Sequence, residues 1–348
     1  MKELDYIIVG CGLAGIAFSE QLRANDKSFV VFDNQSQQSS VVAAGLYNPV
    51  ILKRFTEVWK AKQQLELALP FYKKLEVLLD VKLDYKLPVY RRFASVEEQN
   101  EWFTASDKPN LEDYLSTQLI KNNNPSIIAP LGFGKVLQTG RIDTSILLKH
   151  YKIFLKGIDS YCNETFDYSN LIIEQNCVTY KSIKAKHVVF AEGFGMINNP
   201  FFKALPLNVA KGEVITIKAP DLKIDYVLKS SVFVVPDGND LYSVGATYNW
   251  DDKTHQITEE AKKELLDNLK QLLTCDFEVI NQVAGIRPTV KDRRPLIGVH
   301  HTNKNIAILN GLGTRGVMIA PSVAKELYNY IENKTPLNNE IDINRFNY

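Results

Sequence analysis

The hydrophobic pattern at the start of the chain predicts a strand, a turn, a helix and a second strand. Tyr6 to Val9 are continuously apolar, a glycine-rich turn follows, and Phe29 to Phe32 form a second apolar run. Unbroken apolar runs of this length are typical of strands that are buried on both faces in a parallel sheet. Residues 5–33 are therefore predicted to open a parallel sheet with a βαβ unit.

The next part of the chain predicts helices and one more strand of this sheet. Apolar positions at helical spacing over 55–79 predict a long helix after a loop. A second helix is predicted within GRIDTSILLKHYKIFL, where Asp143 or Thr144 could be the cap. The apolar run HVVFAEG, which Gly193 closes, suits another central strand.

The pattern changes to an antiparallel type after residue 205. The runs EVITIKA, YVLKSSVFVVP and LYSVGATY predict strands, and the turn at 237–240 predicts a hairpin between the last two. A helix over 259–273 follows, and the tail predicts a strand, the glycine loop GLGTRG and a helix.

These patterns predict an α/β fold with two domains between which the chain crosses repeatedly. Segments 1–82, 140–204 and 285–348 are expected to form the parallel-sheet domain. Segments 83–139 and 205–284 are expected to form an antiparallel-sheet domain.

The glycine turn after the first strand matches a dinucleotide-binding fingerprint. Gly10, Gly12 and Gly15 form G-x-G-x-x-G between a predicted strand and a predicted helix. The first glycine permits the tight turn, the second lets the backbone approach a pyrophosphate, and the third allows close packing of helix on strand. Asp33 ends the second strand, where a carboxylate can accept hydrogen bonds from an adenosine ribose and disfavours NADP. The fingerprint alone leaves NAD and FAD open.

Composition narrows the class of partner. A net charge of +1 disfavours nucleic acid as the main partner, and a small molecule is expected instead. The four cysteines form no C-x-x-C pair, and the five histidines form no ligand pattern, so no metal site is expected. No signal peptide and no membrane span are predicted, and the expected location is the cytoplasm.

Six ordered blocks resemble the D-amino acid oxidase (DAO) superfamily, in particular its glycine oxidase and sarcosine oxidase-like members. These blocks are SVVAAG, RIDTSILLKH, KGEVITIKAP, VFVVPDGNDLYSVGATY, GIRPTVKDRRPLIG and NGLGTRGVMIAP. The resemblance implies a Rossmann-type, GR2-like FAD-binding domain with an antiparallel-sheet substrate domain. It also implies that FAD is bound noncovalently, because Ile286 lies near the position of the sarcosine oxidase cysteine anchor.

The fingerprint and the resemblance together give a set of expected FAD-binding residues. A second glycine loop before a helix could stabilise a reduced flavin with its backbone amides. The expected residues are Gly10, Gly12, Leu13, Ala14, Gly15, Asp33, Asn34, Ser40, Ala43, Ala44, Gly45, Phe166, Ala191, Gly193, Arg287, Gly311, Gly313, Thr314, Arg315 and Gly316.

Four residues are candidate substrate contacts. Arg287 aligns with the family arginine that binds the substrate carboxylate, although a structural ion pair with Asp292 is the alternative. Arg315 is a second candidate. Tyr248 could supply a hydroxyl, since Phe233 stands where several relatives have a tyrosine. Tyr47 is the fourth candidate, and no residue is assigned as a catalytic acid or base.

The expected reaction is oxidation of a small amine or amino acid to an imine by hydride transfer to flavin N5, with oxygen or a quinone as electron acceptor. GLYNPV and GLGTRG also resemble the oxidase half of the bifunctional enzyme that processes wobble uridines in tRNA, so a modified tRNA is an alternative substrate. A 2-hydroxy acid oxidoreductase and a flavin-containing sensor are further alternatives. The sequence is compatible with a homo-oligomer.

Overall fold

The computed structural model describes residues 1–347, which form helices, strands and four short 3₁₀ turns. The helices are α1 (Leu13–Arg23), α2 (Ser39–Val42), α3 (Ala61–Leu79), α4 (Val96–Ser106), α5 (Thr144–Gly157), α6 (Glu259–Lys270) and α7 (Gly316–Asn333).

The strands build two large sheets and two small ones. They are β1 (Lys2–Val9), β2 (Phe29–Phe32), β3 (Leu46–Tyr47), β4 (Val50–Ile51), β5 (Thr56–Glu57), β6 (Asp84–Tyr85), β7 (Val89–Arg92), β8 (Leu115–Ile120), β9 (Phe133–Val136), β10 (Gly140–Ile142), β11 (Tyr161–Cys162), β12 (Leu171–Ile173), β13 (Val178–Tyr180), β14 (Ile183–Phe190), β15 (Ala210–Lys218), β16 (Val227–Lys229), β17 (Phe233–Gly238), β18 (Leu241–Gly245), β19 (Glu278–Arg287), β20 (Leu296–Val299) and β21 (Ile306–Asn310).

The first large sheet has a parallel centre. Its strands run in the order β11-β2-β1-β14-β13-β12, and β21 also pairs with β14. Tyr6 of β1 lies opposite Phe29 of β2 and His187 of β14, and both pairings are parallel. The helices α1, α3, α5 and α7 contribute to a hydrophobic core on one face of this sheet. The predicted Rossmann-type opening is therefore confirmed.

The second large sheet is mostly antiparallel and runs in the order β19-β15-β18-β17-β16-β7-β9-β8. Helix α6 covers one face, where Leu265 and Leu269 pack with Ile215 and Val234. Because side chains alternate along a strand, Val214 and Phe233 lie on the other face. This face lines a cavity that separates it from the first sheet. The predicted sheet-based second unit and the hairpin at 237–240 are both present.

Two predicted helices have different ends in the structure. The helix expected over 55–79 begins at Ala61, because Phe55 and Lys60 both adopt positive φ and residues 56–57 pair in a hairpin. The helix expected over 259–273 ends at Lys270, because the backbone around Leu273 bridges to Ile127 instead. Both deviations arise from distant contacts that apolar periodicity does not reveal.

Asp143 caps α5, as the sequence predicts, and its carboxylate accepts a hydrogen bond from the Ile146 amide at 3.0 Å. We expect Asp143→Ala to lower the free energy of unfolding by about 1 kcal/mol, because that amide loses its partner. Chemical denaturation of the purified protein measures the change. Asp143→Ser, which keeps a capping oxygen, should recover most of the loss, and an equal loss in both variants would contradict the capping role.

Candidate functional site

A cavity of about 860 Å³ lies between the two large sheets and brings together most of the residues that the sequence singles out. Three predicted residues, Gly15, Gly311 and Tyr47, are outside its lining. Those that line it are Gly10, Gly12, Leu13, Ala14, Asp33, Asn34, Ser40, Ala43, Ala44, Gly45, Phe166, Ala191, Gly193, Tyr248, Arg287, Gly313, Thr314, Arg315 and Gly316.

The three fingerprint glycines differ in what a side chain would meet. A Cβ on Gly10 would lie 2.4 Å from the Ala191 carbonyl oxygen, and a Cβ on Gly15 would lie 2.0 Å from the Gly10 oxygen. Packing alone therefore requires these two glycines. A Cβ on Gly12 would meet nothing closer than the Ser40 hydroxyl at 3.4 Å, and its φ of −84° suits any residue. Gly12 leaves open space on the cavity side.

The segment from Ser39 to Gly45 closes over the start of α1. The Leu13 amide points at the Ser40 hydroxyl at 3.5 Å, and the Ser39 hydroxyl donates to the carbonyl of Ile286 in β19. Gly45 has a φ of +68°, and a Cβ there would lie 1.9 Å from the Ile142 oxygen. These contacts connect the glycine turn to the strand that carries Arg287.

Asp33 lies at the carboxyl end of β2, as predicted, but it has partners that the sequence did not reveal. Its Oδ2 accepts from the Lys152 ammonium at 2.7 Å and from the Tyr161 hydroxyl at 3.1 Å. Lys152 comes from α5 and also lines the cavity. Nearby, Phe166 stacks on Tyr180 with ring centroids 4.1 Å apart.

The second glycine loop lies at the start of α7, and part of its backbone is already bonded. The Gly311 amide donates to the Asn310 side chain, and the Gly313 amide donates to the Pro288 carbonyl. A Cβ on Gly311 would lie 2.7 Å from Val290, so this glycine serves packing. The first turn of α7 has no side-chain cap, and Gly316 faces the cavity.

Two arginines line the cavity without an acidic partner among residues 1–347. Arg287 donates to the carbonyls of Lys211 and Thr247 at 3.3 and 3.2 Å. The alternative ion pair with Asp292 is absent, because Asp292 pairs with Arg345 at 2.8 Å. Burial lowers the pKa of both Arg287 and Arg315 from the usual arginine value, which means that both charges lack full solvation.

The two tyrosines predicted as substrate contacts lie in different environments. The Tyr248 ring lies 4.2 Å from the Arg287 guanidinium and stacks over it, with 54% of the residue exposed at the mouth of the cavity. Tyr47 is only 3% exposed, and its hydroxyl donates to Asp84 at 2.8 Å. Its neighbours Leu46 and Asn48 line the cavity, whereas the Tyr47 side chain is part of the hydrophobic core, so the placement of Tyr47 in the pocket is wrong.

The sequence analysis missed two features of the second sheet. Gly212 lies under the Arg287 guanidinium, where a Cβ would come within 2.0 Å of a guanidinium nitrogen. A glycine inside a strand pattern often marks such a close approach, so KGEV carried a usable signal. Lys229 also lines the cavity, and no sequence motif distinguishes it from a surface lysine.

The residues present fit FAD. The open space beside Gly12 adjoins the first turn of α1, where Gly12 provides no capping side chain and the Leu13 amide makes only a long contact of 3.5 Å with Ser40, so that the turn offers backbone amides to an anion. The first turn of α7 offers the same kind of donor elsewhere in the same cavity. Within the part of the chain that the structure describes, no group of three or more His, Cys, Asp or Glu side chains could hold a metal ion. No helix there is long and apolar enough to cross a membrane.

Comparisons with known proteins give sequence relatives of two kinds. The chain is 28% identical over 153 residues to the tRNA 5-methylaminomethyl-2-thiouridine biosynthesis bifunctional protein of Idiomarina loihiensis, covering 41% of the chain and 25% of that protein. It is 29% identical over 157 residues to glycine oxidase of Bacillus subtilis, covering 43% and 42%. Both alignments thus cover less than half of the relative's length.

The whole fold is also found in a solved structure. Glycine oxidase from Geobacillus kaustophilus superposes with a TM-score of 0.82 over 100% of both chains, at 17% identity. The family model DAO, FAD dependent oxidoreductase, matches residues 5–329 and confirms both the predicted resemblance and the predicted cofactor. Because this match spans nearly all of the sequence, the chain belongs to the DAO family of FAD dependent oxidoreductases.

Proposed function

We propose that this enzyme oxidises a small amine that carries a carboxylate, such as an amino acid or an N-substituted amino acid, to the imine. The observation that carries the proposal is the pair Arg287 and Arg315, which line the cavity with no carboxylate partner among the described residues. A buried cation that lacks a counter-ion is costly, and an anionic substrate would relieve that cost.

The chain's own residues bind and orient the substrate. The guanidinium of Arg287 can hold a carboxylate through two parallel hydrogen bonds, and Gly212 leaves space for that side chain. Tyr248 covers the guanidinium from the solvent side, while Val214 and Phe233 provide an apolar wall that limits the access of water. When bound, FAD supplies the acceptor for the hydride that leaves the substrate carbon.

Other residues of the cavity would hold the cofactor noncovalently. The first turn of α1, with Gly12 and Ser40, would bind the phosphates, and Asp33 would accept from the ribose hydroxyls. Residues 313–316 would contact the flavin ring at the start of α7. Phe166 and Ala191 would border the adenosine half, and residues 43–45 would pass beside the ring.

A dedicated acid or base is unnecessary for this chemistry. The reactive form of the substrate is the neutral amine, whose nitrogen lone pair forms the C=N bond as the hydride leaves. The positive charges of Arg287 and Arg315 lower the pKa of a substrate ammonium nearby, which favours loss of its proton to solvent. Positioning of the substrate then supplies most of the rate acceleration.

An anaerobic screen tests the proposal. The purified protein would be mixed with amines, amino acids of both hands, N-methylated amino acids and 2-hydroxy acids, and the oxidised flavin absorbance would be followed. We expect at least one carboxylate-bearing amine to bleach the band. Bleaching by 2-hydroxy acids alone would replace the amine with an alcohol substrate, and no bleaching by any compound would favour the sensor alternative. Reoxidation by oxygen or by a quinone then identifies the acceptor.

A modified tRNA is a second candidate substrate, and the 28% identity to the tRNA-modifying bifunctional protein favours it. The net charge of +1 counts against strong binding of a polyanion. A gel shift with unfractionated tRNA at low and high salt distinguishes the two candidates. Binding that weakens steeply with salt would support tRNA, and absence of any shift at low salt would exclude it as a tight ligand.

A further inference from the structure

A further cation, Lys229, lines the same cavity as the two arginines and as Lys152, which is paired with Asp33. It ends β16, is half-buried, and makes no hydrogen bond or ion pair within residues 1–347. Its ammonium nitrogen lies 5.9 Å from the centroid of the Phe233 ring. A lysine without a partner on an internal wall is unusual, because the ammonium loses hydration there and gains nothing in return.

The strand register fixes where this ammonium lies relative to Arg287. Lys229 of β16 is opposite Phe233 of β17. Across the next two strands, Gly245 of β18 and Val214 of β15 continue the same row. The Lys229 ammonium lies near the Phe233 ring on β17, whereas the Arg287 guanidinium lies over β15 at Gly212. Two strand spacings separate β17 from β15, and Gly212 lies two residues along β15 from Val214, so the two charges are roughly 10–12 Å apart along one sheet face.

The surroundings of Lys229 do not neutralise it. Arg91 of β7 is its register partner on the other side, and Arg91 is itself paired with Glu98 at 2.6 Å. Burial, and next the charge of Arg91, lower the pKa of Lys229 to about 8. No carboxylate among residues 1–347 is paired with Lys229, so an anion in the cavity would be its counter-charge.

We propose that Lys229 binds a second anionic group of the substrate, so that the enzyme acts preferentially on short amines with an acid group at each end. This inference rests on the proposed function. Charged hydrogen bonds of about 2.8 Å at each cation leave roughly 4–6 Å between the two acid groups. Aminodicarboxylates have acid groups at this separation, whereas glycine and sarcosine have a single acid group that reaches Arg287 alone.

Inert ligands test Lys229 independently of turnover. Succinate and glutarate, with butyrate as the single-acid comparison, would be titrated into the FAD-loaded protein, and the shift of the flavin spectrum would give each dissociation constant. We expect the native protein to bind the dicarboxylates about 10- to 100-fold more tightly than butyrate. Lys229→Met should abolish that preference and leave butyrate binding unchanged. Lys229→Arg should retain most of it.

Lys218→Met is the matched control, because Lys218 is an exposed lysine at the end of β15 on the same sheet. It should bind all three ligands like the native protein. The proposal would be overturned if the native protein and Lys229→Met bound the dicarboxylates with equal affinity. It would also be overturned if Lys229→Met lost as much affinity for butyrate as for the dicarboxylates. Melting temperatures of all variants show whether Lys229→Met is folded, and Lys229→Gln replaces it if it is not.

The pH dependence gives a second readout. An anion binds the protonated ammonium, so dicarboxylate affinity should fall as the pH rises through about 8, the pKa of Lys229. Butyrate affinity, and all affinities of Lys229→Met, should not change over this interval. If the dicarboxylate preference exists but no amine bleaches the flavin, the proposed reaction fails while the binding site at Lys229 stands. If amines bleach the flavin but the dicarboxylate preference is absent, the proposed reaction stands and the binding site at Lys229 fails.

Discussion

Replacing Arg287 with methionine is expected to lower kcat/KM for carboxylate-bearing amines by roughly 30- to 4,000-fold, which corresponds to about 2–5 kcal/mol. The loss should fall mainly on KM, because the guanidinium holds the carboxylate before and during the reaction. Steady-state kinetics measure kcat and KM separately, and the dissociation constant of an inert carboxylate measures the binding contribution alone. Amines without a carboxylate should be oxidised by the variant and the native enzyme with similar efficiency.

Two further variants control for charge and for folding. Arg287→Lys keeps the charge but loses the two parallel hydrogen bonds, so its activity should lie between those of the native enzyme and the methionine variant. Arg54→Met removes an exposed arginine outside the cavity lining and should have no effect. An unchanged KM in Arg287→Met, with FAD still bound, would eliminate Arg287 as the carboxylate site.

The second large effect is expected from Gly12→Val, which should weaken FAD binding by about 100-fold or more while leaving the apoprotein folded. The valine would occupy the open space next to the first turn of α1, and a ligand phosphate would lose one or two charge-assisted hydrogen bonds there. The backbone at Gly12 already has an extended conformation that valine accepts. Fluorescence titration of the apoprotein with FAD gives the affinity, and its thermal melt gives the stability.

The neighbouring Gly15 provides the contrast. Gly15→Val should destabilise the apoprotein itself, because its Cβ would lie 2.0 Å from the Gly10 oxygen. Gly157→Ala, at a position where a new Cβ meets no other described part of the chain within 4 Å beyond its own helix, should leave both FAD affinity and stability intact. Normal FAD binding by Gly12→Val would mean that the phosphates do not approach this turn.

The parts of the fold that the sequence predicted are those that local pattern determines. The apolar run at Tyr6 to Val9, the glycine turn and the Asp143 cap are each encoded by neighbouring residues. The boundary at Ala61 was missed because positive φ at Lys60 carries no glycine or asparagine to mark it. Long-range pairing, rather than local preference, decided such positions.

The cavity lining was predictable to the extent that motifs mark it. Glycine turns and Arg287 stand in recognisable blocks, whereas Lys152 and Lys229 come from a helix and a short strand without any motif. Tyr47 was misplaced because a two-residue strand gives no alternation from which to choose a face. Side-chain direction at such positions depends on the register of distant strands.

The parallel pairing of β1 with β14 has a consequence for biosynthesis. Lys2 lies opposite Ile183, so β1 can pair with β14 only after about 180 further residues have left the ribosome. Their synthesis takes about 10–40 s at usual elongation rates. During this interval one edge of β1 is unpaired, which is a hazard for association with other nascent chains. The turn that would bind phosphate is synthesised before residues 246–317, which complete the cavity lining. We therefore expect flavin binding to require that α7 has been synthesised, and truncation before α7 should yield a chain that cannot retain its flavin.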